Sequence, residues 1–333
     1  MVSQEKSLPP VVIVGMHRSG TSSISGALCR MGWSAGEDAS LFAADQFNVE
    51  GYYERLDVVT LNKKLLTQGA AGIAQSEGLR EDYEAGWLLG AWKDCAGVGD
   101  QGEEIERCLA QVDMETRGNG SYLLKDPRLS LTYSHWKEFL PRHGVVLMIR
   151  HPGAVARSML AKDGLPLELA FALWVKYAQN SLRHMGNNPL VVVYEDLLRQ
   201  PGEVLAGLYE KLSGERPEER LVADAGSFIR KELCHSGLDD VQVPTVLLEI
   251  YRLMRSRNTD EAVRFLDQYS LGLDVVGPSA SACYLANMQC QEDSQRARSR
   301  LQRLDNHWLI GSLIRLVRRL KGDVSFGSVE GLR

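Results

Sequence analysis

Val11-Val-Ile-Val-Gly15-Met-His-Arg18-Ser-Gly20-Thr-Ser22 decides how this chain is built. Four β-branched apolar residues ending at a glycine predict a buried parallel strand, and Ile24, Leu28 and Met31 follow at helical spacing from Thr21 onward. The turn between strand and helix is a phosphate cradle. Gly15 and Gly20 let the backbone curl so that successive N–H groups converge, and the helix beyond adds the positive end of its dipole. An anionic group is expected there.

The spacing nearly satisfies the nucleotide-triphosphatase loop, G-x-x-x-x-G-K-[ST]. Thr21 stands at the lysine position, however, and the cation comes earlier, at Arg18. That lysine reaches the β- and γ-phosphates of a triphosphate beside magnesium. Its replacement favours a phosphate-bearing donor that is not handled as Mg-ATP. The run resembles the 5′-phosphosulfate-binding loop of sulfotransferases, in the Arg-Ser-Gly-Thr form of the tyrosylprotein enzymes and of bacterial sulfotransferase-like proteins. The resemblance implies that His17, Arg18, Ser19, Gly20, Thr21 and Ser22 hold the 5′ side of 3′-phosphoadenosine 5′-phosphosulfate (PAPS).

Two further strand ends fall in that family's order. Ser121-Tyr-Leu-Leu-Lys125-Asp126-Pro127-Arg128 predicts a buried strand stopping at a proline. Sulfuryl transfer shifts negative charge onto the leaving phosphate oxygen, so a cation is wanted at such a strand end. The Lys-Asp-Pro is similar to that of tyrosylprotein sulfotransferases and implies this role for Lys125, shared with Arg18. Cytosolic members have a histidine base where this chain has Pro127, which places the base elsewhere. Asp126 and Arg128 are suited to a structural pair.

Val145-Val-Leu-Met-Ile149-Arg150-His151-Pro152 delivers an arginine at a third strand end, and Pro152 opens a helix where its missing N–H costs nothing. Arg150 with Ser158 eight residues on resembles the 3′-phosphate signature of sulfotransferases. Guanidinium grips phosphate oxygens through parallel N–H bonds, and a hydroxyl can add a third. Ser227-Phe-Ile-Arg230-Lys231 is similar to a late segment that closes over the nucleotide in the family, though its glycine-rich continuation is missing. Arg230 and Lys231 are equally suited to be surface charge.

The acids crowd one short segment after the loop: Glu37 and Asp38, then Glu50 and Glu54 within Asn48-Val-Glu-Gly51-Tyr-Tyr-Glu54. It can fold across the mouth of the first strand, where parallel α/β sheets place their sites. The Gly36-Glu37-Asp38 run resembles the base-bearing Gly-Glu-Glu of tyrosylprotein enzymes, and Asn-x-x-Gly-Tyr-x-Glu resembles the bacterial proteins. One of the four carboxylates is the expected general base.

Length and composition bound the rest. The 333 residues, 44% apolar and 24% charged, suit one large α/β domain with an extension. A net charge of −5 gives no support to general nucleic-acid binding. Residues 1–10 lack the pattern of a secretory signal, no run reaches the length of a membrane span, and the anchor of Golgi sulfotransferases is not seen. A cytoplasmic protein is expected. The six cysteines are scattered and histidines do not cluster, so reduced thiols and no metal site are expected.

Residues 69–102, rich in Gly and Ala, show no sustained period and are expected to form a long loop, either an acceptor-binding lid or a packed insertion. Leu167–Leu182 predicts a core helix, Leu190–Val193 a fourth strand running into Tyr194-Glu-Asp-Leu, and Gly202–Leu212 another helix. Separate helices are expected near Pro244–Ser256, near Glu261–Tyr269 and from about Asn287. A basic amphipathic helix should close the chain, with Leu309, Leu313, Leu316, Val317 and Leu320 on one stripe and four cations elsewhere between Trp308 and Lys321. Docking on the domain or a partner is one use of that stripe, and peripheral contact with an anionic membrane is the other.

The expected architecture is therefore a P-loop-type parallel sheet flanked by helices, the sulfotransferase fold, over residues 8–270, with a helical extension over 271–333. The resemblance implies an enzyme that moves a sulfuryl group from PAPS, without a metal, to a hydroxyl on a carbohydrate, lipid or peptide. A non-catalytic nucleotide-binding module of the same fold, or a P-loop kinase, are the alternatives.

Overall fold

The computed structural model describes residues 8–46, 48–76, 86–92, 101–116, 121–185, 189–229 and 241–306. The chain divides into two compact units, Met1–Ala282 and Cys283–Arg333. Residues 230–240 and the chain beyond 306 lie outside the described residues, and with them Arg230, Lys231 and the predicted basic amphipathic helix.

Strand β1 (Val11–Val14) has all four side chains buried, as its apolar run requires. It is the centre of a parallel five-stranded sheet in the order β2-β3-β1-β4-β5, where β2 is Trp33–Ser34, β3 Ser121–Lys125, β4 Gly144–Ile149 and β5 Leu190–Val193. In register, Ile13 pairs with Lys125 on one side and Val14 with Leu147 on the other. Chain order reverses direction at β1, so the crevice beyond its carboxyl end is a topological switch point, where open α/β sheets bind ligands.

Alternation along the strands sends Val11, Ile13, Leu123, Val146, Met148 and Val192 to one face. There they pack with α1 (Thr21–Arg30), whose Ile24, Ala27 and Leu28 are fully buried. The same core takes in α8 (Tyr194–Arg199), α9 (Pro201–Ser213) and α10 (Glu219–Ser227) through Leu197, Leu205, Leu208 and Ala225. On the opposite side lie α5 (Leu129–Trp136), α6 (Pro152–Asp163), α7 (Leu167–His184) and α11 (Thr245–Arg255). The other helices are α2 (Leu56–Ser76), the short α3 (Gly86–Leu89), α4 (Gly102–Thr116) and α12 (Thr259–Asn306).

Two sequence expectations are corrected. The Gly/Ala-rich stretch from 69 is not loop at its start, since α2 continues to Ser76, and Gly86–Trp92 forms α3 with a short 3-10 turn. The helices expected separately after residue 258 are one helix, α12, with Pro278 inside it. Tertiary contact carries it past the proline: the Trp92 ring lies where a Cβ on Gly277 would go, and Trp92 Nε1 donates to Ser281 Oγ at 2.8 Å. Cys29, Cys108, Cys283 and Cys290 are free thiols among the described residues. Among those residues, too, no helix is long and apolar enough to cross a membrane.

Candidate active site

Four strand ends open on one crevice, and the sequence puts a chemically distinctive residue at each. After β1 the backbone turns through Gly15 and Gly20, both at positive φ (149° and 91°). A Cβ on Gly15 would stand 2.6 Å from the Met148 carbonyl, and one on Gly20 would enter the Tyr194 ring, so neither position tolerates another residue. Arg18 also adopts a left-handed backbone, φ 67°, a conformation that non-glycine residues rarely hold without reason. Ser19, almost fully buried, ties the turn to itself: its hydroxyl donates to the Met16 carbonyl at 2.6 Å, and its N–H reaches the same oxygen at 3.1 Å. Helix α1 then starts at Gly20 with no side-chain cap and no acid in its first turn. Its first N–H groups and dipole are thus suited to an external anion.

The third strand end is bound to this loop directly. Arg150, immediately after β4, donates from Nη1 to the Arg18 carbonyl at 2.9 Å, while Arg18 Nε donates to Ser158 Oγ on α6 at 2.8 Å. The residues expected to read the 5′ and 3′ sides of a nucleotide therefore form one hydrogen-bonded set. The Arg150 guanidinium lies over the Tyr194 ring, 4.6 Å from its centre, and its carbonyl accepts from Trp174 Nε1. Tyr194 consequently seats both Gly20 and Arg150.

Lys125, 2% exposed at the end of β3, reaches three groups. Its Nζ donates to Glu54 Oε1 at 2.5 Å, to the Tyr52 carbonyl at 3.0 Å and to Ser22 Oγ at 3.1 Å. The segment bearing Glu54 is a narrow excursion closed by an antiparallel bridge between Leu41 and Arg55 and another between Asp45 and Asn48. Asn48 Nδ2 donates to Ser22 Oγ at 3.1 Å and to the Gly51 carbonyl at 2.7 Å. At the rim, Tyr52 donates its hydroxyl to Asp45, and Lys162 lies 5.5 Å from the ring centre. Burial, then Asp45, pushes the Tyr52 phenol up to about 12.

The four candidate acids separate. Glu54 is buried against Lys125, with Arg128 Nη1 4.0 Å from its other oxygen. Glu37 and Asp38 are exposed at a 3-10 turn, and Glu50 is partly exposed. Beside Glu54, Arg55 is clamped by Asp57 and Glu115, both at 2.6 Å. That clamp holds the Glu115 carboxyl down to about 2 and fixes the backbone from which Glu54 projects.

His17, expected on the donor side, is held by aromatic neighbours. Its ring packs on Trp87 at 4.9 Å and on Tyr177 at 5.9 Å. Burial, helped by Arg128, Lys125, Lys162 and Arg18, holds it well below the usual 6.5 of histidine, hence neutral. Asn48, Arg128, Lys162, Tyr177 and Tyr194 join the site without having been singled out for it. Asn48 carried a signal, as the first residue of the Asn-x-x-Gly-Tyr-x-Glu run, and so did Tyr194, at the head of Tyr-Glu-Asp-Leu. The fully buried Asp126 is spoken for structurally: it accepts from Asn62 Nδ2 and from Arg128 N and Nη1. Among the described residues no three His, Cys, Asp or Glu side chains gather as a metal centre would require.

Fold and site define an α/β protein in which a parallel five-stranded sheet opens the ends of four strands on one polar crevice. The sulfotransferase family profile matches residues 9–218, and the chain belongs to that family. Among solved structures it is similar to the sulfotransferase domain from the Synechococcus PCC 7002 olefin synthase. That likeness has 20% identity and a TM-score of 0.39, over 80% of this chain and 96% of that one. No curated protein matches the sequence.

Proposed function

We propose that this protein is a PAPS-dependent sulfotransferase acting on a hydroxyl acceptor, carbohydrate or lipid-linked. The observation that carries the proposal is the Lys125–Glu54 pair beside Ser22, in the same crevice as the Arg18–Ser158–Arg150 set. A cation to receive charge and a carboxylate to receive a proton stand together where a donor's phosphosulfate would lie. The donor fits the glycine turn, where α1 begins without a side-chain cap and without an acid in its first turn, an end suited to an anion. When bound, it supplies a sulfuryl group on a phosphate that can depart.

In this scheme Arg150 and Ser158 hold the 3′-phosphate, and residues 18–22 hold the 5′ side. Glu54 takes the proton from the acceptor hydroxyl as the new S–O bond forms. The S–O bond to the donor phosphate breaks, and Lys125 with Arg18 stabilises the charge left on that oxygen. Handing its charge to the leaving oxygen loosens Lys125's hold on Glu54, so the carboxylate becomes a better base as the bond breaks. Titration with 3′-phosphoadenosine 5′-phosphate (PAP) and with Mg-ATP tests the donor, and sulfuryl transfer across a panel of hydroxyl acceptors tests turnover. PAP binding with turnover is expected. Preference for Mg-ATP would favour a kinase, and PAP binding without turnover on any acceptor would favour the non-catalytic module.

A further inference from the structure

His17 Nε2, the Tyr177 hydroxyl and Arg128 Nε are buried without a hydrogen-bond partner among the described residues. They share one neighbourhood. The His17 and Tyr177 rings meet edge-on, 5.9 Å between centres, and Arg128 is the charge that acts most strongly on each of them. Arg128 is held on its Nη1 side by Asp126 at 3.0 Å, and that same nitrogen is 4.0 Å from Glu54. Its Nε is not used by either contact.

A buried donor left unpaired is costly, and folded proteins keep few of them. Three in one place indicate a partner that completes them. The kind of partner follows from what they offer. Arg128 Nε–H and the Tyr177 hydroxyl donate, and neutral His17 can carry its proton on Nε2 and donate as well. Lys125, Lys162 and Arg18 add positive potential around His17. Neighbouring buried donors in a positive setting suit an oxyanion, where charge-assisted bonds are strongest.

We propose that Arg128, Tyr177 and His17 form an acceptor subsite for a carboxylate or phosphate carried beside the hydroxyl that is sulfated. The inference rests on the sulfotransferase reading and narrows it to acidic acceptors. Arg128 stands 4.0 Å from Glu54, the group that meets the acceptor's hydroxyl, and His17 packs on Trp87. The same oxyanion chemistry could come from the donor's own sulfuryl group, which the experiment separates.

The test uses the full chain loaded with PAP and titrated with matched pairs: methyl glucuronide against methyl glucoside, and glycerol 3-phosphate against glycerol. The charged member of at least one pair should bind about tenfold tighter or more. Tyr177→Phe, which removes one hydroxyl and keeps the ring, should erase most of that preference while PAP affinity holds. Arg128→Lys should weaken it and keep the buried charge, so a loss of fold is not mistaken for a loss of binding. Equal binding of charged and neutral members by the wild type overturns the proposal, as does a preference that survives both variants. Weaker binding of PAPS but not of PAP in the variants would assign the trio to the sulfuryl group and overturn it too. A wild type that binds no PAP sinks the parent reading, and this one with it.

Discussion

Lys125 Nζ stands 2.5 Å from Glu54 Oε1, and both side chains are nearly excluded from solvent. A buried pair of this kind is a poor device for stability, since desolvation offsets most of the attraction. Its placement at a strand end beside Ser22 makes sense as chemistry. Lys125→Ala should lower kcat on the order of 10²-fold or more, because the cation interacts more strongly as the phosphate oxygen becomes negative. Donor affinity should change little. Glu54→Gln should give a comparable defect that is partly relieved at high pH, where the acceptor hydroxyl ionises more readily. Steady-state kinetics with matched PAP titrations checks both, and an unchanged kcat in Lys125→Ala removes the lysine from the mechanism.

Arg150 gives a prediction about selectivity. Arg150→Ala should weaken PAP binding by about 2–4 kcal/mol, through loss of charge-assisted bonds to a phosphate left short of partners. Adenosine 5′-phosphosulfate, which has no 3′-phosphate, should bind mutant and wild type nearly alike. Calorimetric titration of both ligands decides the matter. Equal losses would mean that Arg150 acts only by bracing the loop through the Arg18 carbonyl.

Asn48 tests whether the excursion over the loop is part of the machinery. Its amide fixes Ser22 Oγ, which Lys125 also contacts, and closes the Gly51 turn. Asn48→Ala should reduce kcat by about tenfold while leaving the melting temperature within a few degrees, since the two hydrogen bonds lost are worth about 1 kcal/mol each. Asn48→Asp, which preserves shape but has no donor for the Ser22 hydroxyl or the Gly51 carbonyl, should not rescue. A purely structural Asn48 would move stability and rate together.

What the sequence could and could not disclose follows from how local each signal is. The loop, Lys125 and Arg150 each end an apolar run at a strand's carboxyl edge, and one short window suffices to see that. Choosing Glu54 among four acids needed the pairing across the crevice, because which acid meets Lys125 depends on the turn at Gly51 and Tyr53, both at positive φ. Arg128 looked like a partner for Asp126, which it is, but its reach toward Glu54, His17 and Tyr177 depends on α7 packing behind α5. The continuity of α12 was hidden for the same reason, since Gly277 and Pro278 argue locally for a break that Trp92 and Ser281 override.

The protonation of His17 carries a pH signature whose sign can be worked out. Burial first, and then Arg128, Lys125, Lys162 and Arg18, hold its folded value well below 6.5. The unfolded chain therefore takes up a proton below about pH 6.5 that the native state refuses, so this contribution is complete above that pH and lost as pH falls beneath it. His151, lowered by burial against the opposing charge of Glu195, adds to the same window. Glu115 acts lower: bonded to Arg55 and held at about 2 against an ordinary 4.5, it contributes above 4.5 and is lost as pH falls toward 2. Melting temperatures should accordingly decline in two stages, one beginning near pH 6.5 and a second below 4.5. His17→Gln, which cannot titrate, should flatten the first stage and leave the residue due to His151, while the second stage is unchanged. If the first decline keeps its full slope in that variant, His17 is not the buried neutral group that the packing of Trp87 and Tyr177 makes it.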